Sequence, residues 1–400
     1  MNNTLIPANE MDRLMSLAEY DLDYSSHKDN FKDLAKLAAK VAGTEVSLVN
    51  LIDTFTQWTI SNHGLNMDQM PREDSVCQYT ILNGEYFEIE NLAADTRFKD
   101  KFYVTDDPNL RYYYGVPLRS PEGHNLGALC VLDKRHKSLT PEKAELLKII
   151  ADEIVNRLKT YKAIDHLQNK LVEANETKKK VAHDIRGPLG GIIGLAQIIS
   201  EQGKNNQIDE VLDFINLIHR SGRSLLELAD EILSSDKPQT LNSDEFNLLI
   251  FKDKLERLYT PQAKNKNIKL TVATVSPASA TTPFSKNKLL QIAGNLISNA
   301  IKFTPNNGSV NVGLNLKVDK NKKNVLVIKI TDTGVGLTKE GIDAILSSSA
   351  SSTNGTGGET GYGFGLSLVK HLIDGLKGTL KIHSEPGKGA TFEVILPQDH

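Results

Sequence analysis

Apolar positions along this chain follow two periods, and the switches between them mark its organisation. From Phe31 to about Val155 the pattern is mixed. The run "FKDLAKLAAKVAG" carries helical spacing, and "VSLVNLI" and "FTQWTIS" read as strands. "YYGVPLR" and "NLGALCVL" flank Ser120, Pro121, Glu122 and Gly123, residues suited to reversing the chain, so a hairpin is predicted there. In "SLTPEKAELL" a helix starts, with Thr140 as its cap and Pro141 at its first position.

That helix has no obvious stop. From Ile150 onward apolar side chains fall at Ile154, Leu158, Tyr161, Ile164, Leu167, Leu171, Ala174, Val181 and Ile185, in steps of mostly three or four. Its other faces carry "DE", "NR", "QNK" and "ETKKK", so the narrow seam calls for a second helix, and a parallel homodimer supplies one. The alternative is one amphipathic helix folded back on its own domain. The irregular step between Tyr161 and Leu167 predicts local over- or underwinding.

A break at "EQGKNNQ" precedes a second amphipathic run, "VLDFINLIHRSGRSLLELADEIL", which predicts a helical hairpin and, in a dimer, a four-helix bundle. "SSDKPQTLNSDE" reads as a linker. Beyond it "IKLTVATV", "SVNVGLNLKV", "NVLVIKI", "TLKIHS" and "ATFEVIL" read as strands between helices near 249–263, 286–302 and 365–375, a second α/β domain. The one low-complexity stretch is "SSSASSTNGTGGETG", 347–361.

Composition narrows the function classes. Four hundred residues suit two or three domains, and a formal charge of −3 gives no footing for nucleic acid or an acidic membrane surface. No apolar run approaches the roughly 18–20 residues of a membrane span, and "MNNTLIPANEMDRL" lacks a basic start before an apolar core, so a cytoplasmic protein is expected. Cys77 and Cys130 lie in apolar surroundings without metal-ligand spacing and read as buried, inert hydrophobes.

The chemistry begins at "VAHDIRGPLGGIIG", 181–194, where helix breakers interrupt an otherwise helical pattern. With Val181 and Ile185 on the seam, His183 falls on the opposite side and is expected to face solvent. Neutral imidazole is a competent nucleophile, and Asp184 is placed to take a proton from one ring nitrogen as the other attacks. Pro188 frees the carbonyl four residues back, so a bend is expected just after His183. Gly187, Gly190, Gly191 and Gly194 weaken the helix by about 0.5–1 kcal/mol each. A helix that must bend as another domain docks gains from this; close helix packing is the alternative.

The segment "HDIRGPL" resembles the dimerisation and phosphoacceptor region of bacterial sensor histidine kinases, matching it at His183, Asp184, Arg186, Pro188 and Leu189. The resemblance implies that His183 is the phosphoacceptor and Asp184 its general base. It departs at Gly187, where the family usually has Thr or Asn implicated in dephosphorylating the partner. Glycine cannot position a hydrolytic water, so a strong phosphatase activity is not expected.

Three further segments belong together. "LLQIAGNLISNAIKFTP" places Gln291, Asn295, Asn299 and Lys302 near one helix face amid Leu and Ile; "TDTGVGL" follows an apolar strand; "GYGFGLSLVK" opens a helix whose N-terminal N–H groups suit phosphate. In order and spacing they resemble the ATP-binding domain shared by histidine kinases, gyrase-type topoisomerases, certain chaperones and mismatch-repair ATPases, and no Walker motif is present. The resemblance implies Mg²⁺ on Asn299, Asn295 beside it, Lys302 near the phosphates, and the adenine amino group on Asp332. Gly334 and Gly336 would let backbone approach the base, and Gly361, Gly363, Gly365, Leu366 and Thr391 complete the nucleotide set. In the hydrolysing relatives a glutamate stands where this chain has Asn295, and an amide is a poor general base. Between Gly336 and Gly361 the phenylalanine usual in kinases is missing, and a mobile, polar lid is expected.

Residues 31–158 resemble a GAF domain, in "DTFTQWTISNHGL", "PREDSVCQYTIL", "DTRFKDKFYV", "YYYGVPLRSPEGHNLGALCVLD" and "LTPEKAELLKIIADEI". Trp58, Phe98, Phe102, Tyr112, Tyr113 and Tyr114 are placed to line a ligand cleft or to pack a core. Cys77 is followed by Gln78 rather than histidine, so no covalent bilin is expected, and the ligand, a small molecule or protein signal, is not legible.

The expected architecture is multidomain: an α/β GAF domain (1–148), a signalling coiled coil (149–180), a dimeric helical hairpin carrying the phosphoacceptor (181–236) and a two-layer α/β ATP-binding domain of the Bergerat type (243–398). The expected activity is that of a homodimeric sensor histidine kinase, using ATP and Mg²⁺ to phosphorylate His183 and then passing the phosphoryl group to an aspartate of a separate response regulator. The rivals are a degenerate, ligand-sensing scaffold and a gyrase- or chaperone-type ATPase.

Overall fold

The computed structural model describes residues 6–22, 24, 30–82, 84–202, 208–234, 246–275, 280–282, 284, 286, 288–319, 323–347, 355–357, 359 and 363–398. Its elements in chain order are α1 (Glu10–Ala18), α2 (Lys32–Ala42), β1 (Val46–Ile52), β2 (Thr56–His63), β3 (Gln69–Pro71), α3 (Cys77–Thr80), β4 (Phe87–Ile89), α4 (Phe102–Thr105), β5 (Tyr112–Arg119), β6 (Asn125–Asp133), α5 (Pro141–Gln202) and α6 (Ile208–Ser234). There follow α7 (Leu248–Asn265), β7 (Lys269–Thr274), α8 (Leu289–Phe303), β8 (Ser309–Val318), β9 (Asn324–Asp332), α9 (Lys339–Leu346), α10 (Gly365–Gly375), β10 (Thr379–Ser384) and β11 (Ala390–Gln398). The chain divides into two units, residues 1–164 with 245–398, and residues 165–244 with 399–400.

In the first unit the N-terminal sheet runs β3-β2-β1-β6-β5-β4 and every pairing is antiparallel. Both faces are covered, which is why β1 and β6 read as near-continuous apolar runs. Val49, Leu51, Leu129 and Val131 pack beneath α2 and the start of α5, whereas Leu48, Ile52, Ala128 and Leu132 face the side of α3 and α4. The expected hairpin is present as β5 and β6.

α5 begins at Pro141, with Thr140 Oγ1 accepting from the Lys143 N–H at 3.4 Å. Leu147, Ile150, Ile154 and Leu158 are buried in the core of the N-terminal domain. The part of the seam expected from Ile150 is therefore covered by this chain as far as Leu158, and uncovered apolar residues begin at Ile164, Leu167 and Leu171.

The second sheet runs β10-β11-β9-β8-β7, with β7 parallel to β8 and the other pairs antiparallel. β8 alternates buried and more open residues along its length, as a sheet with one covered face should. α7, α8 and α10 supply the second layer, and Phe251, Leu255, Ile292, Leu296, Leu368 and Val369 fill the core between the layers.

α1 was not foreseen and joins the two sheets of this unit. Leu14 and Ala18 belong to the apolar cluster of the C-terminal domain. On its other side Arg13 is fully buried, donating to Glu10 at 2.8 Å and to the Ile52 carbonyl at 2.7 Å, while Arg72 reaches the same Glu10 at 2.6 Å. Two guanidiniums on one carboxylate hold Glu10 below the usual carboxylate range although burial alone would raise it.

In the second unit α5 runs without interruption through Pro188, and α6 is amphipathic. Ile185, Leu189, Ile193 and Ile198 on α5 and Leu212, Ile215, Leu217 and Leu226 on α6 are exposed. A Cβ added at Gly187, Gly190, Gly191 or Gly194 would meet nothing within 4 Å, so contacts among the described residues do not demand these glycines. No helix of the described residues is long and apolar enough to cross a membrane.

Candidate functional site

α8 carries the polar face anticipated from its spacing. Asn295, Asn299 and Lys302 are buried in an otherwise apolar helix. Asn295 Nδ2 donates to the Gln291 carbonyl at 3.0 Å, but the Asn299 Nδ2 and Gln291 Nε2 atoms are buried with no hydrogen-bond partner. An unsatisfied buried amide costs about 1–3 kcal/mol. These two atoms lie eight residues, about two turns, apart on the same face of the helix.

Asp332 ends β9, opposite Val310 of β8. Its Oδ1 accepts from the N–H groups of Gly334 at 2.8 Å and Ala390 at 3.1 Å. Burial raises its pKa and these two donors oppose the rise. With both bonds on Oδ1, Oδ2 has no hydrogen-bond donor among the described residues. The cleft beside it, about 470 Å³, is lined by Thr331, Asp332, Ile342, Ala390 and Thr391. Thr391 lies in this cleft with its hydroxyl 3.0 Å from that of Thr331.

The glycines after Asp332 have a structural reason that the sequence did not reveal. Gly336 adopts φ 70°, and a Cβ there would lie 2.1 Å from the Glu385 carbonyl; at Gly334 it would lie 2.6 Å from the Phe303 carbonyl. The loop is thus clamped between the end of α8 and the β10–β11 turn, where Gly387 N donates to the Val335 carbonyl at 2.7 Å. This clamp fixes Asp332 relative to α8.

Lys302 lies at the other end of the face. Burial lowers its pKa to about 8 against the opposing pull of Glu359 and Glu73. Its carbonyl accepts from the N–H of Thr356 at 3.2 Å and from its hydroxyl at 3.1 Å, and Lys266 pairs with Glu359. Residues 355–357 and 359 are thereby fastened to the end of α8. Residues 348–354 and Gly361 lie outside the described residues; Gly363 has φ 81°, and Gly365 and Leu366 open α10, with Phe364 at its cap giving no side-chain hydrogen bond to the first N–H groups.

One participant was missed. The turn between β1 and β2 brings Phe55 to this site: its ring is 5.1 Å from Lys302 Nζ, and a Cβ on Gly365 would lie 3.0 Å from the ring and 3.3 Å from Asn295 Oδ1. Gln262 Nε2 donates to Thr56 Oγ1 at 3.1 Å and Gln69 Oε1 at 2.9 Å, and Trp58 packs edge-on against Tyr259 at 5.9 Å. Only the "DTFTQW" composition, with apolar residues beside a turn, hinted at a surface with a partner.

The sensor aromatics divide differently from expectation. Of the six, only Tyr113 lines the small cavity beside Cys77; Trp58 turns to Tyr24 and Tyr259, Tyr112 and Tyr114 pack on the opposite face, Phe98 is core, and Phe102 is exposed. Strand alternation sends Tyr112 and Tyr114 away from Tyr113. His183 and Asp184 lie within α5, and their side chains are outside the described ones.

Comparison with known proteins gives three matches in sequence order. Residues 28–158 match the GAF domain, 178–240 the His Kinase A (phospho-acceptor) domain, and 285–400 the histidine kinase-, DNA gyrase B-, and HSP90-like ATPase family. The chain is similar to the autoinducer 2 sensor kinase/phosphatase LuxQ of Vibrio parahaemolyticus, 33% identical over 230 residues, covering 54% of this chain and 26% of that protein. It is also similar to the sensor histidine kinase GacS of Pseudomonas protegens, 27% identical over 417 residues, covering 98% of this chain and 40% of GacS. The chain thus spans less than half the length of either relative. Among solved structures, histidine kinase ThkA in complex with the response regulator protein TrrA aligns at 19% identity and a TM-score of 0.31, covering 78% of this chain and 79% of that one.

Proposed function

We propose that this chain, built from a GAF domain, a His Kinase A domain and a histidine-kinase-type ATPase domain in that order, is a homodimeric sensor histidine kinase. It would transfer the γ-phosphoryl group of Mg·ATP to His183 and from there to an aspartate of a response regulator. The observation that carries the reading is a pair of features joined by the loop that packs on Phe303 at the end of α8: the polar face of α8, where Gln291 and Asn299 leave buried amide nitrogens without partners, and Asp332, both of whose hydrogen bonds fall on Oδ1.

In this reading Asp332 Oδ2 accepts from the adenine amino group, Gly334 and Gly336 hold that carboxylate in place, and Lys302 and the α10 N-terminus from Gly363 to Leu366 meet the phosphates. Gly361 and Thr391 complete the pocket. Asn299, with Asn295 beside it, would hold Mg²⁺ through amide oxygens, a hard-donor set suited to that ion. Bound Mg²⁺ would neutralise charge on the β- and γ-phosphates. No carboxylate stands at residue 295 to activate water, so the γ-phosphoryl group is kept for a better nucleophile. His183 is that nucleophile, with Asp184 taking its proton. A second copy would cover the exposed apolar residues of α5 and α6.

Control is read in two ways. The sensor's core residues on α5 link its state to the register of the helix leading to His183. A direct route is favoured by Phe55, which occupies space between Lys302, Asn295 and Gly365 and so opposes phosphate entry until the sensor surface withdraws.

The test is incubation of the purified chain with γ-labelled ATP and Mg²⁺. Acid-labile, alkali-stable label that disappears in His183→Gln, with nucleotide binding unchanged, is the expected result. Label retained in His183→Gln would move the phosphoacceptor elsewhere.

A further inference from the structure

The sensor's two cysteines, far apart in sequence, are neighbours in space. Cys77 opens α3 and Cys130 lies on β6 opposite Leu48, and their Sγ atoms are 3.9 Å apart. Asn50, on the same face of β1, donates one amide nitrogen to both sulfurs, at 3.2 Å to Cys77 and 3.4 Å to Cys130. The Thr59 hydroxyl donates to Asn50 Oδ1 at 2.8 Å, which fixes the amide with its nitrogen toward the thiols. Tyr113 donates its hydroxyl to Cys77 Sγ at 3.3 Å, and Thr80 Oγ1 holds that hydroxyl at 2.6 Å.

Two inert hydrophobes would not be surrounded by oriented donors. The arrangement is also asymmetric. Burial opposes ionisation of Cys77, but the hydrogen bonds from Cys130, Tyr113 and Asn50 outweigh it and lower the thiol to about 7. Burial and the neighbouring Cys77 raise Cys130 well above the usual thiol range. One sulfur is thus prepared as a nucleophile and the other stays a thiol beside it. Both line a cavity of about 30 Å³ with Asn50, Gln57, Met70 and Tyr113, room for a molecule of roughly water size.

We propose that Cys77 and Cys130 form a peroxide-reactive dithiol that closes to an intrachain disulfide. The Cys77 thiolate attacks one oxygen of hydrogen peroxide. The S–O bond forms as the O–O bond breaks, and the departing hydroxide takes up a proton and leaves as water. Cys130 sulfur then attacks the Cys77 sulfenic acid; the S–S bond forms, the S–O bond breaks, and the hydroxyl leaves as a second water with the Cys130 proton. Two thiols and one peroxide give one disulfide and two waters, so peroxide supplies all the oxidising equivalents. The cavity favours this small neutral oxidant over bulky thiol reagents.

The test uses the full chain, reduced, treated with hydrogen peroxide, quenched, denatured and alkylated with N-ethylmaleimide before intact-mass measurement. Untreated protein should carry two adducts, since the sequence has two cysteines. Peroxide-treated protein should carry none, weigh two hydrogens less than the reduced chain, remain single-chain on a non-reducing gel, and recover both adducts after dithiothreitol. In Cys130→Ala the reaction should stop at a sulfenic acid on Cys77, which dimedone present during the denaturation step captures. In Cys77→Ala, Cys130 should be oxidised at least about tenfold more slowly than Cys77 is in the unaltered chain. Two adducts surviving on unaltered protein, or a disulfide that links two chains, would overturn the proposal without recourse to either variant.

Discussion

The two α/β regions of the first unit each hold a buried polar cluster, and the two clusters differ in how their atoms are paired. In the sensor, Asn50, Thr59, Tyr113, Thr80 and both thiols bond to one another around a cavity of about 30 Å³. In the C-terminal domain, Asn299 and Gln291 leave buried amide nitrogens without partners, and Asp332 bonds through one oxygen beside a cleft of about 470 Å³. A closed network specifies a core and admits at most a small reagent, whereas unpaired buried amides leave donors for the polar ligand proposed above. Sheet coverage follows the same division, since the sensor sheet is buried on both faces and β8 exposes one side.

The largest expected effect comes from removing the charge at the open site. Asp332→Asn replaces a carboxylate acceptor by an amide, and nucleotide affinity should fall about 10- to 100-fold, the range of a charge-assisted hydrogen bond. Calorimetric titration with a slowly hydrolysed ATP analogue checks this; affinity within twofold of the unaltered chain would remove Asp332 from the adenine site.

Next comes the place where the two regions meet. Phe55→Ala should strengthen nucleotide binding about five- to thirtyfold, the factor carried by roughly 1–2 kcal/mol of displaced contact. Unchanged affinity in the same titration would mean that Phe55 does not compete with phosphate.

The smallest effect is a pH dependence. Lys302 has its folded pKa lowered to about 8, so its charged form is disfavoured in the folded chain. The unfolded chain then binds more protons between about pH 8 and the ordinary lysine value, and stability should rise with pH through that window. Phosphate attraction has the opposite sign: it is present below about pH 8 and fades as the ammonium deprotonates. Nucleotide affinity should therefore decline above pH 8 in the unaltered chain, and Lys302→Arg should flatten the profile because guanidinium stays charged.

Much of this organisation was legible because it rests on local pattern. β8 alternates along most of its length, β9 carries a run of apolar residues, and the polar face of α8 stands out against Leu and Ile, so these elements were placed to within a few residues. Thr140 and Pro141 likewise marked the start of α5. What escaped depends on contacts distant in sequence. Asn50, Cys77 and Cys130 meet only once β1, α3 and β6 are assembled, so the thiols looked like separate hydrophobes. Trp58 looked like a ligand-cleft or core residue and Phe55 like the start of a strand because their partners, Tyr259, Lys302 and Gly365, lie some two hundred residues or more away. The glycines of "TDTGVGL" were tied to the base, while the close approach of Glu385 and Phe303 carbonyls gives them a reason within the chain.

The central claim is that the nucleotide site withholds the γ-phosphoryl group from water and delivers it to His183. A single-turnover experiment with γ-labelled Mg·ATP, following protein-bound label and free phosphate together, tests it most directly. The account predicts that label appears on the protein before free phosphate and that neither forms at a comparable rate in His183→Gln. Free phosphate released equally fast by the unaltered chain and by His183→Gln, with no label on either, would contradict it and identify the site as that of an ATPase.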